Sequence, residues 1–308
     1  MFKLPNLPSP RAEVHELADF AEILAWRFNE TSSRAILAYL NRINDNYYNE
    51  GCDDEGDEDA DELDEVMIEI DRRRLACGNG YPFYLDMQGT VIKYTADDNS
   101  HRADVYRYLL LSTRLNMKDH RIHGEIDGTH LLEEISAAVL KFYLGATRAK
   151  SFVFGTAATG TFPDKVNHLC REIGEGGFFK NIDESSVDAV DDKLDAVAWV
   201  PFVDNKPGKL IIFAQCKTGS TWESQITQLQ PDSFLKRWTT DRCFVLNPLR
   251  AFCISETARL NRWKGTILYA GLLFDRCRIV DFCEELTPDL LGRVRIWNDA
   301  AMRAVAIG

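Results

Sequence analysis

Two apolar runs separated by a turn constrain the fold of this chain more than any other feature of its sequence. Residues 194–202 and 209–216 are rich in apolar and β-branched side chains, and the Asn-Lys-Pro-Gly sequence at 205–208 is typical of a turn. Asp195 interrupts the first run, and a buried carboxylate is costly unless it is paired or bound to a cation. The sequence therefore predicts a β-hairpin with a carboxylate that needs a partner.

The register of this hairpin determines which polar side chains meet. A turn centred on Asn205 places Asp195 opposite Gln215, near the end of the second strand. Because side chains alternate along a strand, Gln215 and Lys217 lie on one face and Cys216 lies on the other. In this register, we expect a carboxylate, an amide oxygen and an ammonium group to converge at one end of the hairpin.

This pattern resembles the PD-(D/E)xK nuclease superfamily, which has the restriction-endonuclease-like fold. That family carries an acidic residue on one strand and (D/E)xK on the next, and here Asp195 is followed by Gln-Cys-Lys at 215–217. Glutamine replaces the acid in the Mrr-like branch of the family as well. The helix that precedes the strands in the family usually carries a glutamate between apolar residues, and Glu133 in the Leu-Glu-Glu-Ile sequence at 132–135 matches it.

The resemblance covers roughly residues 128–279 and depends on the order of the elements: a helix with a glutamate, a strand, a helix, the Asp strand, the Gln-x-Lys strand and an amphipathic helix. It implies an α/β fold with a restriction-endonuclease-like mixed sheet flanked by helices. The sequence places the amphipathic helix after a capping box at 220–223. Further strands are predicted from apolar runs at 243–247, 250–255 and 265–274.

The resemblance also implies a site and a reaction. Its residues would be Glu133, Asp195, Gln215 and Lys217, and the reaction would be hydrolysis of a phosphodiester bond with Mg²⁺ or Mn²⁺. The metal ligands would be the Asp195 carboxylate, the Gln215 amide oxygen, the Cys216 main-chain carbonyl and Glu133, directly or through water. Lys217 would orient the attacking water and stabilise the developing charge. Candidate phosphate contacts are the basic residues Lys180, Lys236, Arg237, Arg242, Arg259, Arg262 and Lys264. The main-chain amides of the Thr-Gly-Ser sequence at 218–220, at a predicted helix start, could also hold a phosphate.

Our leading interpretation is a metal-dependent DNA endonuclease, which the resemblance associates with restriction or anti-phage defence. The alternative is a catalytically inactive subunit with the nuclease fold, which binds nucleic acid or a partner protein. In that case, the replacement of the acid by Gln215 reflects the loss of catalytic activity. A nuclease that acts on RNA is a third possibility. A chain without a recognisable motor or sensor motif also fits one subunit of a larger defence complex.

The sequence suggests two domains. Residues 1–124 contain helical patterns but no catalytic motif, so we predict a mainly helical accessory domain with an acidic loop at 50–65. In that domain, a second helix capped by Thr31 or Ser32 is expected, and a third helix would carry Arg72, Arg73 and Arg74 at its end, where cations favour the helix dipole. The nuclease-like domain would occupy residues 125–308.

The net charge of −12 is unevenly distributed. Residues 50–71 contain 13 acidic residues and no basic one, and the rest of the chain, with 35 acidic and 36 basic residues, is close to neutral. The acidic segment is either a solvated region or a DNA mimic that shields a basic cleft. DNA therefore remains a possible partner, because a nearly neutral body can still carry a basic cleft.

Other features indicate a cytoplasmic protein without a membrane partner. No stretch approaches the roughly 20 apolar residues that span a bilayer. Prolines and charges occupy the first residues, where a signal peptide needs an apolar segment. The eight cysteines form no Cys-x-x-Cys pair, which favours reduced, buried thiols over a zinc site or disulfides.

Overall fold

A mixed five-stranded sheet organises the fold. The computed structural model describes residues 2–9, 12–36, 38, 56–95, 100–182 and 192–305, with the backbone alone for residues 56–63. The strands are β1 (Glu30–Ser32), β2 (Phe83–Leu85), β3 (Val91–Tyr94), β4 (Ile122–His123), β5 (Ile126–Asp127), β6 (Lys150–Val153), β7 (Ala196–Trp199), β8 (Ile211–Lys217), β9 (Leu249–Ile254) and β10 (Leu272–Phe274). The α-helices are α1 (Val14–Phe28), α2 (Gly56–Cys77), α3 (His101–Arg114), α4 (Gly128–Tyr143), α5 (Phe162–Ile173), α6 (Pro231–Trp238), α7 (Trp263–Ala270), α8 (Arg276–Asp281) and α9 (Pro288–Ala304).

The sheet has the order β10-β9-β8-β7-β6. Strands β6, β7 and β8 pair antiparallel, whereas β8, β9 and β10 pair parallel. The prediction of an α/β protein with a mixed sheet is therefore confirmed. None of the described helices has the length and hydrophobicity that a bilayer-spanning segment needs.

The hairpin of β7 and β8 has the predicted register. Ala196 lies opposite Ala214 and Val197 lies opposite Phe213, as a turn centred on Asn205 requires. Asn205 itself has a positive φ of 53°, which suits asparagine in a turn. Because both faces of these strands are buried, the apolar pattern alone does not select a register, and the turn at 205–208 sets the pairing.

The two faces of the sheet are covered by different helices. Ala196, Ala214 and Cys216 face the larger core, to which α4 contributes Leu132 and Ile135. The alternating residues of the same strands face a second core that contains residues of α5 and α6. The site is therefore built between α4 and the ends of the strands beneath it.

The N-terminal part adds a second, smaller sheet. Strands β1, β3 and β2 form an antiparallel sheet beside α1, so this part is not made of helices alone. The larger core contains residues from both sides of position 124, including residues of α1, α3 and α9. The predicted domain boundary stays a prediction, and it does not coincide with a break in this core.

The predicted acidic loop at 50–65 needs correction. Helix α2 begins at Gly56, so residues 56–65 are helical, and residues 50–55 lie outside the described residues. Acidic residues in the first turns of a helix interact favourably with its dipole, which explains why this composition is compatible with a helix. In the preceding segment, Ser32 Oγ accepts a hydrogen bond from the Ala35 amide, as predicted for a helix cap.

One of the predicted strands was wrong and a second was correct only in its last three residues. Residues 243–247 are irregular because the Val245 amide donates to the Glu175 carboxylate instead of to a neighbouring strand. Residues 265–274 divide into α7 and the short strand β10, with Gly271 between them. Gly271 has a φ of 74°, and a Cβ there would lie 2.2 Å from the Arg250 carbonyl oxygen, so the chain turns where a continuous strand was expected.

The amphipathic helix predicted after residue 220 was also wrong. The chain forms a short 3₁₀ turn at Trp222–Gln225, and the next α-helix begins at Pro231. The buried Trp222 indole donates to the Glu256 carboxylate at 2.7 Å. This bond holds Trp222 against the chain that follows β9.

A cluster of buried ion pairs joins the N-terminal and C-terminal parts. The Asp19 carboxylate of α1 accepts hydrogen bonds from Arg73 at 2.7 Å, Arg114 at 2.6 Å and Arg276 at 2.7 Å. All three guanidinium groups are fully buried. Additional carboxylates in the cluster come from Glu16, Glu22, Glu69 and Glu256.

Burial alone would raise the pKa of Asp19. The guanidinium groups of Arg276, Arg114 and Arg73 outweigh that effect and hold the pKa of Asp19 well below its usual range. A carboxyl group whose pKa is lower in the folded chain than in the unfolded chain stabilises the fold at pH values above its pKa in the unfolded chain. This contribution of Asp19 is therefore lost as the pH falls towards the pKa of the folded state.

We expect Asp19→Asn to lower the free energy of unfolding by about 3–5 kcal/mol, because it leaves buried guanidinium groups without their central counter-charge. The matched control is Asp71→Asn, whose partner Arg74 and own side chain are 43% and 46% exposed. This control should change the free energy of unfolding by at most about 1 kcal/mol. Denaturant unfolding followed by tryptophan fluorescence measures both, and equal effects would contradict the central place of Asp19.

Candidate active site

A cavity of about 400 Å³ opens at the C-terminal end of β8. It collects side chains from the N-terminal segment, the loop after α3, helix α4 and the ends of β7 and β8. Three of the four residues expected to act in catalysis line it, namely Glu133, Asp195 and Lys217, together with the predicted ligand Cys216. The remaining lining residues are Lys3, Asn116, Met117, Lys118, Thr129, Leu132, Thr156, Thr218, Gly219, Ser220 and Thr221.

Asp195 immediately precedes β7, and its side chain takes the place of a main-chain acceptor. The Asp195 amide donates to the Ala214 carbonyl at 2.9 Å, which continues the ladder between β7 and β8. Beyond this point, Asp195 Oδ2 accepts a hydrogen bond from the Cys216 amide at 2.7 Å. The carboxylate therefore lies beside the main chain of β8, with 7% of the residue exposed.

The main-chain carbonyl of Cys216 faces the same side as Asp195. In an extended strand, the N–H and C=O groups of one residue point to the same neighbouring strand. Because the Cys216 amide donates to Asp195, the Cys216 carbonyl also points to the β7 side of β8, at a level before the first residue of β7. Burial raises the pKa of the Cys216 thiol well above its usual value, so the carbonyl is the better donor to a hard cation.

Glu133 approaches from α4. The helix begins where Asp127 Oδ1 accepts a hydrogen bond from the Thr129 amide at 2.9 Å, so Asp127 provides the cap. The Glu133 carboxylate accepts hydrogen bonds from the Thr156 amide and hydroxyl and from the Ala157 amide at 2.8 Å. Burial nevertheless raises the pKa of Glu133, and these hydrogen bonds oppose that shift only in part.

The two carboxylates converge at Gly155. A Cβ at this position would lie 2.5 Å from Glu133 Oε2 and 2.9 Å from Asp195 Oδ1. Because real Cβ atoms do not approach other atoms so closely, only glycine leaves the carboxylates in this arrangement. The glycine therefore keeps a small polar space between two carboxylates of different elements.

Gln215 is placed differently from the other predicted site residues. It does not line the cavity and is fully buried on the sheet face opposite to Cys216, where its Nε2 donates to Gln228 Oε1 at 3.3 Å. Among the described residues, the Gln215 amide oxygen has no hydrogen-bond partner. Asp195 turns towards the main chain of β8 instead of standing on the face that Gln215 occupies, so strict alternation does not describe this strand end.

Lys3 and the side chain of Ser220 are among the parts of the cavity that the sequence did not identify. Lys3 lies within 3.3 Å of the position that a Cβ on Gly219 would take, although it precedes that residue by more than two hundred positions. Burial, together with the guanidinium of Arg114, lowers the pKa of Lys3 to about 8. For Ser220 the sequence indicated a capping box and a main-chain amide that could hold a phosphate, but not a role for its side chain, which is 3% exposed at the cavity.

None of the seven basic residues proposed for phosphate contact lines this cavity. Its lysines are instead Lys3, Lys118 and Lys217. No local pattern distinguishes Lys3 or Lys118 from an ordinary surface lysine. Neither lysine was therefore predicted as a phosphate contact.

The donors of this cavity fit a hard divalent cation that keeps several waters. The described residues contain no group of three or more His, Cys, Asp or Glu side chains arranged to hold a metal ion. The available oxygen donors are the carboxylates of Glu133 and Asp195 and the carbonyl of Cys216, and Mg²⁺ is commonly held by one or two carboxylates. The convergence of both carboxylates at Gly155 supports this fit.

The chain matches no family model, no curated protein sequence and no solved structure in the three comparisons. The interpretation of the cavity therefore depends on its own residues and their geometry.

We expect Gly155→Ala to weaken Mn²⁺ binding by about tenfold or more, because the added Cβ separates the carboxylates of Glu133 and Asp195. Isothermal titration calorimetry measures the affinity. Gly292→Ala in α9 is the matched control, since a Cβ there meets no atom within 4 Å. Equal Mn²⁺ affinity of the wild type and both variants would exclude a cation site between these carboxylates.

Proposed function

We propose that this protein is a metal-dependent DNA endonuclease with Mg²⁺ or Mn²⁺ as its cofactor. The observation that carries the proposal is that Glu133, Asp195 and Lys217 line one cavity, beside a Cys216 carbonyl directed to the same side. These residues come from three separate elements, in the order that the PD-(D/E)xK pattern requires. The mixed sheet and the register of β7 and β8 support the same proposal, including its restriction-endonuclease-like fold.

Each residue has a defined task in this proposal. Asp195 and Glu133 would hold the cation through their carboxylates, and the Cys216 carbonyl would complete the protein's share of the ligands. When bound, the divalent cation supplies charge neutralisation for the phosphodiester and activates water. Lys217 positions the attacking water and stabilises the negative charge that develops on the phosphate oxygens. The hydrogen bond from the Cys216 amide fixes the Asp195 carboxylate for this purpose.

Glu133 links the site to the loop after β6. Its bonds to Thr156 and Ala157 occupy part of its oxygen lone pairs, so it binds a cation directly with the remaining ones or through water. Because its pKa is raised, protons compete with the cation at a higher pH than for an ordinary glutamate. Metal affinity and cleavage should therefore decrease as the pH falls through this raised value.

The biological setting follows from the resemblance. Restriction or anti-phage defence in the cytoplasm, alone or within a larger defence complex, is the setting we propose. The partner at the cavity is DNA, with RNA as the competing substrate to be tested.

One observation favours a second candidate, a catalytically inactive subunit that binds nucleic acid or a partner protein. The cavity contains two carboxylates, and Gln215 lies outside its lining. A site without a third acidic ligand holds a cation more weakly, and complete loss of the cation would leave a binding surface. Cleavage of plasmid DNA in the presence of Mg²⁺ or Mn²⁺ distinguishes the two functions.

We expect Asp195→Asn and Lys217→Met each to reduce plasmid cleavage by about a hundredfold or more. Asparagine keeps an oxygen that can accept from the Cys216 amide, so Asp195→Asn removes the charge and preserves the fold. The matched control for charge is Asp232→Asn, an exposed residue outside the cavity, which should cleave like the wild type. Substrates are supercoiled, linear and single-stranded DNA and RNA, each with Mg²⁺, Mn²⁺ or EDTA.

Full activity in either of the two site variants would show that the active site lies elsewhere in the protein. No cleavage of any substrate by the wild type with either cation would favour the inactive subunit. Thermal unfolding of each variant verifies that a lost activity does not come from a lost fold.

A further inference from the structure

The wall of the cavity formed by Lys3, Lys118 and Ser220 has no part in the mechanism proposed above. It consists of the N-terminal segment, the loop after α3 and the residues that follow β8. The chemistry of this wall is cationic and hydrogen-bond donating, in contrast to the carboxylates of Glu133 and Asp195.

The N-terminal segment is firmly attached, so Lys3 has a defined position. Phe2 and Leu4 on either side of it are each 5% exposed and belong to the larger core. The Leu4 amide donates to the Arg114 carbonyl at 2.8 Å, and the Phe2 amide donates to Glu16 Oε1 at 3.1 Å. These contacts fix the main chain on both sides of Lys3, so the Lys3 side chain reaches the cavity from a defined position.

The ammonium group of Lys3 has donors to spare. It donates to the Thr113 main-chain carbonyl, and an ammonium group carries three hydrogens. Within the described residues, Lys3 forms no ion pair with a carboxylate at salt-bridge distance. The carboxylates of Glu256, Asp19 and Glu16 act on this ammonium group only from beyond salt-bridge distance, so it can still take an anionic ligand from the cavity.

Ser220 provides an independent observation at the same wall. Its residue is 3% exposed, and its hydroxyl has no hydrogen-bond partner among the described residues. The preceding Gly219 has a φ of 79° and lies next to the Lys3 ammonium, which brings Ser220 and Lys3 to the same wall. A buried hydroxyl without a partner is uncommon in folded proteins and indicates a ligand or water at that point.

We propose that this wall is a phosphate subsite, in which Lys3 and Ser220, assisted by the exposed Lys118, bind a second phosphate of the nucleic-acid strand. The inference rests on the proposed function, because it assigns the phosphate to the strand whose neighbouring phosphodiester lies at the carboxylates. Lys3 and Ser220 act here as substrate-binding residues and take no part in bond cleavage. Binding to this wall draws the strand across the cavity and sets which phosphodiester reaches Asp195.

The charges around Lys3 define how the subsite depends on pH. Arg114 of α3, Glu16 and Asp19 of α1, and Glu256 after β9 act on its ammonium group. Since burial and Arg114 lower the pKa of Lys3 to about 8, its positive charge is present below that pH and lost above it. Phosphodiester groups do not titrate in this range, so strand affinity should decrease as the pH rises through about 8.

The test measures binding of a fluorescent single-stranded oligonucleotide to the full chain in EDTA, so that no cleavage occurs. We expect Lys3→Met to lower the affinity by about tenfold and to reduce the slope of log affinity against log salt by about 0.7. The pH dependence near 8 should disappear in this variant. The matched control is Lys206→Met, an exposed lysine in the loop between β7 and β8, which should keep the affinity and the pH dependence of the wild type.

A second variant, Ser220→Ala, tests the subsite without a change of charge. We expect its affinity to fall by roughly two- to tenfold, with an unchanged salt slope. Oligonucleotides with and without a 5′-phosphate distinguish the source of the anion. Stronger binding of the phosphorylated strand assigns the subsite to a terminal phosphate, and equal binding assigns it to an internal one.

Wild-type affinity in both Lys3→Met and Ser220→Ala would overturn the subsite, as would a wild type that binds no oligonucleotide in EDTA. Absence of cleavage with Mg²⁺ or Mn²⁺ contradicts the nuclease function and leaves these binding results standing. If the wild type does cleave, Lys3→Met should raise KM with little change in kcat, because it removes binding and not chemistry.

Discussion

The buried carboxylate of Asp19 is the interaction on which the rest of the fold depends. It binds Arg73, Arg114 and Arg276, which come from α2, α3 and α8, and none of these guanidinium groups has access to water. Burying this many charges is tolerable only when each one is paired and hydrogen-bonded. Small displacements of any of these helices would leave a charge unpaired, so the cluster fixes their relative positions more strictly than apolar contacts do.

The candidate site is connected to this cluster through two chains of hydrogen bonds. Arg114 also binds Glu256, whose carboxylate accepts from the Trp222 indole in the segment after Lys217. In the second chain, the hydroxyl of Ser255 accepts hydrogen bonds from the Thr113 hydroxyl and the Gly219 amide. The residues after β8 thus take their positions from helices of the N-terminal part. The cavity is therefore a product of the whole chain, although its carboxylates and Lys217 lie within residues 128–279.

Local sequence was sufficient where a short segment determines its own geometry. The register of β7 and β8 follows from a turn at Asn205 between two apolar runs. Glu133 was identified by its match to the helix pattern of the family that the chain resembles, and it does lie on α4. An apolar run alone does not distinguish a helix from a strand, which is why residues 265–270 were predicted as part of a strand although they are helical. Lys3 could not be predicted, because the acceptor of its ammonium group lies 110 positions away. The same holds for Arg73, which the sequence suggested as a partner of the helix dipole and which binds Asp19 instead.

The balance of charge within the cavity links cation binding to phosphate binding. The lining contains the carboxylates of Glu133 and Asp195 and the ammonium groups of Lys3, Lys118 and Lys217, and Gln215 adds no charge where the PD-(D/E)xK pattern has an acid. Such a site attracts anions, which offsets the repulsion of DNA by a chain of net charge −12, and it holds a cation weakly. A strand phosphate at Lys3 would supply a negative charge in place of the one that an acidic residue at position 215 would carry. In the proposed mechanism, nucleic acid and divalent cation therefore strengthen each other's binding, and by linkage the two enhancements are equal.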